Sequence, residues 1–128
     1  MARKRQLPPD ICHWPAFQNL THDARLLYVL LYTMADDKGR IPDEPGLFAY
    51  KLFPGETAFA LKIEACLREI DREGLIGRYE VAQFRCLVIC AWSRQEVRHP
   101  TRSKLPPPPT NRQLALDELA AARAKRER

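Results

Sequence analysis

The first half of the chain carries apolar residues at helical spacing, and each run is bounded by residues that start or stop a helix. The first run begins after Thr21, which can cap a helix, and Asp23 is favourably placed in the first turn. Its apolar positions are Leu26, Leu27, Val29, Leu30, Leu31 and Met34. Because the polar stretch 36–39 ends this pattern, we predict a first helix followed by a brief extended segment at 40–42.

Two further helices are predicted between residues 43 and 73. The second opens at Asp43-Glu44-Pro45 and ends at Pro54-Gly55, and its predicted buried side consists of Leu47, Phe48, Tyr50 and Leu52. The third is predicted as one continuous rod over 56–73, because a single apolar stripe runs through Phe59, Ile63, Cys66, Leu67 and Ile70. Gly74 stands where a left-handed residue is needed to end that helix.

Beyond Gly74 the pattern is typical of strands. Aromatic and β-branched residues dominate 75–81 and 84–89, which predicts two β-segments that pair as a hairpin. The turn falls near Ala82-Gln83, which lacks the Asn-Gly or Asp-Gly that a tight primed turn prefers. The predicted fold class is therefore α+β, with three helices and a β-hairpin.

The composition shifts at both ends of this region. We predict a basic N-terminal arm at 1–13 and a folded domain at 14–98. The stretch 99–110 contains His99-Pro100 and four consecutive prolines, which predicts an extended, stiff linker with no route into a core. Residues 111–128 follow a capping-box pattern, and we expect a C-terminal helix there that is marginal on its own.

The order helix, brief strand, helix, helix, hairpin is the layout of the winged helix-turn-helix, whose third helix enters the major groove while the hairpin flanks it. Local detail adds a resemblance, which covers about Trp14 to Pro109. The segments that carry it are Leu20-Thr21-His22-Asp23-Ala24-Arg25-Leu26-Leu27, Ala35-Asp36-Asp37-Lys38-Gly39-Arg40, Leu52-Phe53-Pro54, Gly74-Leu75-Ile76, Arg78-Tyr79-Glu80-Val81, and then Trp92, Gln95 and His99-Pro100.

In this order, the segments resemble the winged-helix domains of bacteriophage replication proteins, which are loosely related to the DnaD-type primosome proteins. The resemblance implies a winged-helix fold and a role in phage or prophage DNA replication. It also implies that the segment after the proline-rich stretch contacts replisome proteins such as a helicase or a loader. Most of these residues have structural roles, so the resemblance supports the fold more strongly than it supports the function.

Charge is distributed unevenly along the chain. Residues 1–6 carry three Lys or Arg and no acid, and residues 93–128 carry nine Lys or Arg against four Asp or Glu. Residues 7–92 carry nine Lys or Arg against twelve Asp or Glu. Basic ends around an acidic centre suit a polyanion such as DNA, because each cation placed on a phosphate releases counterions. The same tails could instead only keep the protein in solution.

Candidate DNA contacts follow from the face of the third helix that lies opposite its apolar stripe. On that face, Lys62, Arg68 and Arg72 can meet phosphates, and an arginine there can fork onto a guanine. Near the helix start, Thr57 can donate to a phosphate. The remaining candidates are Arg78 and Arg85 on the hairpin and Arg3, Lys4 and Arg5 on the N-terminal arm.

Ordinary structural uses exist for the same residues. Lys62 and Arg68 can pair with acids on their own helix, and Arg78 and Arg85 can pair across the hairpin with Glu80. The outward face of the third helix also carries a small apolar line, which suits a protein partner better than DNA; it consists of Ala58, Leu61 and Ala65.

The sequence offers no recognisable catalytic or cofactor motif. Neither serine sits in a nucleophile motif, and no glycine-rich phosphate loop is present. The four cysteines form no C-x-x-C pair, which favours buried thiols over a zinc site; they are Cys12, Cys66, Cys86 and Cys90. We therefore expect no enzymatic activity, no cofactor and no metal. Without a long apolar run, we also expect a cytoplasmic protein with no membrane contact.

Three functions remain open from the sequence. The first is a DNA-binding module of a phage or prophage replication system that holds duplex DNA. The second is a transcriptional regulator that uses the same surface and forms a homodimer through its terminal helix. The third is an adaptor that binds a protein and no DNA, through the apolar line or through Leu114, Leu116 and Leu119 of the terminal helix.

Overall fold

Residues 4–92 and 103–109 are described by the computed structural model, and their elements form an α+β fold. A 3-10 turn at Ile11–His13 precedes two helices, α1 (Pro15–Gln18) and α2 (His22–Leu31). Next come strand β1 (Arg40–Pro42) and three helices, α3 (Pro45–Leu52), α4 (Thr57–Ala60) and α5 (Ile63–Arg72). The final elements are strands β2 (Ile76–Val81) and β3 (Phe84–Ile89). This order is compatible with a winged helix-turn-helix.

The first predicted helix is confirmed as α2, together with its cap. The Thr21 hydroxyl accepts a hydrogen bond from the backbone N–H of Ala24 at 3.3 Å, and Asp23 lies in the first turn. The helix buries Ala24, Leu27, Tyr28 and Leu31. The cap satisfies a backbone donor that the first turn leaves without a partner inside the helix.

The second predicted helix is confirmed as α3, but its predicted buried side is wrong at one position. Phe48 is fully buried, whereas Tyr50 is exposed. A short helix buries one narrow stripe, and Tyr50 lies two residues from Phe48, which is about half a helical turn around the axis. The apolar character of Tyr50 therefore does not place it in the core.

The prediction of one continuous rod over 56–73 is wrong. The chain forms α4 and α5, which are separated by Leu61 and Lys62. The ring of Phe59 stacks on Phe53 with centroids 4.0 Å apart, which holds α4 against the end of α3. The N–H of Lys62 then donates to the Phe59 carbonyl at 2.9 Å, a tighter turn than an α-helix makes. The helix resumes at Ile63.

The sheet is antiparallel and has the strand order β1-β3-β2. Its hairpin turn lies at Ala82-Gln83 as predicted, with Val81 paired to Phe84. Both turn residues have positive φ, 51° and 71°, although neither is glycine. A two-residue primed turn requires this conformation, and ordinary side chains adopt it at an energetic cost. Gly74 also has positive φ, as predicted for the residue that ends α5.

The two faces of the sheet are covered differently. The inner face packs against the helices and supplies Ile41, Ile76, Leu87 and Ile89 to the main core. The outer face carries a smaller cluster formed by Tyr79, Cys86, Val88 and Cys90. The side chain of Leu105 packs onto this smaller cluster.

Residues 103–109, which we call the strap, lie across the outer face. Arg40 donates to the Leu105 carbonyl at 3.1 Å, and the Tyr79 hydroxyl donates to the Pro106 carbonyl at 2.7 Å. The expectation that the proline-rich stretch has no route into a core is therefore wrong for the strap. A proline-rich chain keeps all of its carbonyls as acceptors, and the side chain of Leu105 adds an apolar contact.

The turn at 36–39 contacts two later parts of the chain, the strap and Trp92. Asp36 accepts hydrogen bonds from the backbone of Lys38 and Arg40 and from the Ser103 hydroxyl. Gly39 has a φ of +78°, and an added Cβ would lie 2.5 Å from Cγ of Trp92. Glycine is therefore required here both by conformation and by space.

Three of the four cysteines are buried, as predicted, namely Cys66, Cys86 and Cys90, but Cys12 is exposed. None of the helices within 4–92 and 103–109 has the length and apolar content needed to cross a bilayer. The predicted C-terminal helix at 111–128, with Leu114, Leu116 and Leu119, lies outside the described residues.

Candidate nucleic-acid interface

Helix α5 is anchored along one side. Its buried residues are Ile63, Cys66, Leu67 and Ile70. On the flank that meets the start of α2, Glu69 accepts hydrogen bonds from the backbone N–H and the hydroxyl of Thr21, at 2.5 and 3.0 Å. Asn19 donates to Glu73 at 3.2 Å. These contacts hold α5 against the domain and use two of its carboxylates.

The opposite side of α5 is exposed and carries cations. The side chain of Arg68 is 77% exposed, and Lys62 and Arg72 are also exposed. Arg68 donates to Glu64 at 2.9 Å, and the Lys62 ammonium lies 3.6 Å from Asp23. The predicted pairing of Arg68 within its own helix is thus confirmed, whereas Lys62 pairs with an acid of α2. Within 4–92 and 103–109, no ion pair holds Arg72.

In both ion pairs, the carboxylate partner can be replaced by another anion. Exposed pairs stabilise proteins by about 0–1 kcal/mol, because water screens the charges and two long side chains lose freedom. A phosphate oxygen could therefore replace either carboxylate at little cost to the fold. The exposed face of α5 is available to a polyanion in spite of these contacts.

Arg78 is not available in the same way, which corrects its placement among the solvent-facing residues of the hairpin. Its guanidinium donates to both oxygens of Asp43, at 2.6 and 3.0 Å, and to both oxygens of Glu64, at 2.8 and 2.9 Å. Only 22% of the side chain is exposed. Strand alternation places Arg78 opposite Leu87 on the inner face, toward the helices.

The Arg78 contacts change the acidity of the groups involved. Hydrogen bonding by Arg78, together with its charge, lowers the pKa of Glu64 to about 2 from an ordinary 4.5, against the opposing effect of burial. The hydrogen bonds that Arg78 donates to Glu64 and Asp43 raise the pKa of Arg78 above its ordinary value. Glu64 and Arg78 therefore remain charged at neutral pH. The network of these hydrogen bonds links β2, the segment after β1 and the first turn of α5, and so fixes the position of α5 on the sheet.

Arg5 is also held inside the domain rather than on a free arm. Its guanidinium donates to the Ala35 carbonyl at 3.0 Å and to Asp37 at 2.9 Å, and it lies 5.0 Å from the ring centroid of Trp92. The expectation that Arg5 reaches a DNA groove is therefore wrong. Charge pairing and stacking on an aromatic ring both favour a planar guanidinium.

The remaining predicted contacts lie at different places. Thr57 is exposed at the start of α4, Arg85 is exposed near the hairpin tip, and Lys4 is exposed before Arg5. Arg3 lies outside the described residues, as does the terminal helix on which the predicted homodimer depends. The structure places Arg68 and Arg72 on α5 and Lys62 at its N-cap, and Arg78 shares the Glu64 carboxylate with Arg68. Arg5 lies apart from them, on Ala35 and Asp37.

The sequence interpretation missed the partners of Arg78. Asp43 and Glu64 lie 35 and 14 residues from it, and no periodic pattern connects them. It also missed that Phe84 stays exposed. Strand alternation gave a signal for Phe84, because it shares the outer face with Cys86 and Val88 but lies next to the hairpin turn.

Comparisons with known proteins add no relative. No protein-family model matches the chain, and neither a curated protein nor a solved structure is significantly similar to it. The assignment of function therefore depends on the geometry described above.

Proposed function

We propose that the chain is a winged helix-turn-helix domain that binds duplex DNA, with α5 as the helix that enters the major groove. The observation that carries this proposal is the sorting of charge around α5. Two of its acids, Glu64 and Glu69, bind groups of the domain, whereas Arg68 and Arg72 are exposed on the helix and Lys62 is exposed at its N-cap. A helix that has two of its acids held by the domain and its two arginines exposed suits the negative potential of a DNA groove.

Arg68 can break its hydrogen bond to Glu64 without leaving that carboxylate unpaired. Glu64 keeps two hydrogen bonds from Arg78 when Arg68 turns toward DNA, so its charge stays compensated. Arg68 then binds a phosphate, or forks onto the edge of a guanine if it reaches the groove floor. Arg72 supplies a second contact, and Arg85 supplies one from the hairpin.

The resemblance to phage replication proteins supports a place for this binding in phage or prophage DNA replication, within a bacterial or infected cell. In this proposal the domain holds the origin duplex and performs no chemistry. The segment 111–128, with Leu114, Leu116 and Leu119, would engage a helicase or loader.

The proposal is tested by titrating the full chain with a fluorescent duplex at several salt concentrations. Replacing Arg68 and Arg72 by Gln should weaken binding by about 1–3 kcal/mol for each side chain that reads a base. It should lower the salt slope by about one for each phosphate that is no longer neutralised. Lys38→Gln is the matched control, because Lys38 is an exposed cation that lies beside the outer face of the sheet. Equal affinity of the Arg68→Gln, Arg72→Gln variant and the wild type would contradict the proposal.

A second candidate function is favoured by one observation, the 88% exposure of Leu61 between α4 and α5. An exposed leucine beside Ala58 and Ala65 could dock on a protein partner. Titration of the wild-type chain with duplex at low salt distinguishes the candidates, because a chain that binds no duplex under these conditions would leave the adaptor function.

A further inference from the structure

A cleft on the outer face of the sheet lies between the strap and the turn end of the hairpin. Its volume is about 440 Å³, within the range of small-molecule sites. Its lining residues come from the turn before β1, from β1 and β3, and from the strap, and they are Lys38, Arg40, Phe84, Ser103, Lys104, Leu105, Pro106 and Pro107. We call it the outer cleft.

The charge of the outer cleft has one sign. Its lining includes three cations and no carboxylate. The nearest acids serve other groups, because Asp36 binds the turn backbone and Ser103, and Asp37 pairs with Arg5. Arg40 is fixed on the Leu105 carbonyl, whereas Lys38 and Lys104 are exposed. The two lysines are therefore available to bind an anion.

The aromatic ring of the outer cleft is also available. Phe84 is 56% exposed, although burial of a phenyl ring is favourable in free energy. The two positive-φ residues of the turn immediately precede it and fix the start of β3. Pro106 and Pro107 add apolar surface to the same cleft. The outer cleft thus combines an accessible ring, an apolar wall and two accessible cations.

We propose that the outer cleft binds single-stranded DNA, with an unpaired base stacked on Phe84 and the adjacent phosphates on Lys38 and Lys104. Proteins that hold single strands combine aromatic platforms with cations along the backbone. A duplex does not fit this chemistry, because its base faces are already stacked on their neighbours. An acidic peptide would satisfy the two lysines but would leave the exposed ring unused.

This inference goes beyond the proposed function, because it requires no contact from α5. If both hold, the domain binds duplex through α5 and an adjacent single strand on the outer face of the sheet. A protein placed at the junction of paired and unpaired DNA would need two such surfaces.

The test is a titration of the full chain with fluorescent oligothymidine, beside a blunt duplex with G·C ends. Phe84→Ala should weaken single-strand binding by about tenfold or more through the loss of stacking. Phe84→Leu should weaken it similarly, because leucine keeps the apolar volume but provides no aromatic face. Tyr50→Ala, at another exposed aromatic, should leave binding unchanged. Replacing Lys38 and Lys104 by Gln should reduce the salt slope by about 1.4, for two phosphate contacts on a single strand.

The proposal is overturned if oligothymidine does not bind at low salt, or if Phe84→Leu binds it like the wild type. It is also overturned if polyglutamate competes fully while binding depends on the lysines and not on Phe84. Replacing Arg68 and Arg72 by Gln should weaken duplex binding and leave single-strand binding unchanged, so failure of one proposal is distinguishable from failure of the other. Far-UV circular dichroism and thermal unfolding should show that every variant remains folded, as expected for exposed positions.

Discussion

On the inner face of the sheet, Leu87 lies among helices that close around it, whereas on the outer face its neighbour Val88 lies beneath the strap. The inner face is covered by elements that hydrogen-bond within themselves. The outer face is covered by a proline-rich segment that is held by the donors Arg40 and Tyr79, by the hydrogen bond from Ser103 to Asp36 and by the side chain of Leu105. The inner face therefore carries most of the stability, and the outer face leaves room for a ligand.

The same comparison holds for two arginines. Arg78 on the inner face makes four hydrogen bonds to two carboxylates, whereas Arg68 on the open side of α5 makes one exposed contact. Residue type does not separate them. Burial and the number of partners decide that Arg78 supports the structure and that Arg68 is available for binding.

The comparison is tested most strongly by two neighbouring substitutions on β3. Leu87→Ala should reduce the free energy of unfolding by about 3–4 kcal/mol, because the helices cannot collapse into the space it leaves. Val88→Ala should cost about 1–2 kcal/mol, since fewer atoms are removed and the strap can adjust. Urea unfolding measures both values. Equal losses of stability at the two positions would contradict the difference between the faces.

A second test removes the inner charge network. Arg78→Ala leaves Asp43 buried without its partner and should lower the free energy of unfolding by about 3 kcal/mol. This value is at the lower end for a broken buried pair, because Glu64 keeps contact with water. Arg85→Ala, an exposed arginine on the paired strand, is the control and should change stability by less than about 0.5 kcal/mol. If both variants unfold at the same urea concentration, Arg78 does not anchor α5.

The pH dependence of stability sharpens the same point. The pKa of Glu64 is about 2 in the folded protein and has an ordinary value of 4.5. A carboxyl whose pKa is lower in the folded state contributes stability above its unfolded pKa and loses it as the pH falls through the folded pKa. Stability should therefore decline between pH 4.5 and 2. The decline should be shallower in Glu64→Gln, and an unchanged profile would exclude a role for this group. Because 41% of the side chain is exposed, water screens part of the effect.

The smallest expected effect is at the hairpin turn. Replacing Ala82-Gln83 by Asn-Gly should raise the free energy of unfolding by about 1 kcal/mol, because both residues tolerate the positive φ that the turn requires. Thermal unfolding measures the increase. A decrease in stability would mean that the side chains of Ala82 and Gln83 make contacts that compensate for their strain.

Local features of the fold could be predicted from the sequence, because neighbouring residues determine them. The Thr21 cap, the left-handed Gly74 and the turn at Ala82-Gln83 each depend on a few adjacent positions. The break before α5 could not be predicted in this way. It lies beside the stack of Phe59 on Phe53, a contact between side chains that the helical pattern of 56–73 does not reveal.

The candidate site was predictable in part. The periodicity of 63–70 placed Arg68 and Arg72 on the exposed side, because an amphipathic helix buries one stripe. The fixation of Arg78 and Arg5 was not predictable, because their partners lie 14 to 35 residues away and become neighbours only after folding. The docking of the strap has the same cause, since its partners Asp36, Arg40 and Tyr79 lie 27 to 67 residues away along the chain.

The most direct test of the central claim, that the open side of α5 binds duplex DNA, is a map of backbone amide shifts in the labelled full chain during titration with a blunt duplex. We expect the largest shifts between Leu61 and Arg72 and at Arg85, while Phe84 and Lys104 of the outer cleft move little. Shifts that spare α5, or that appear only around the outer cleft, would contradict the claim.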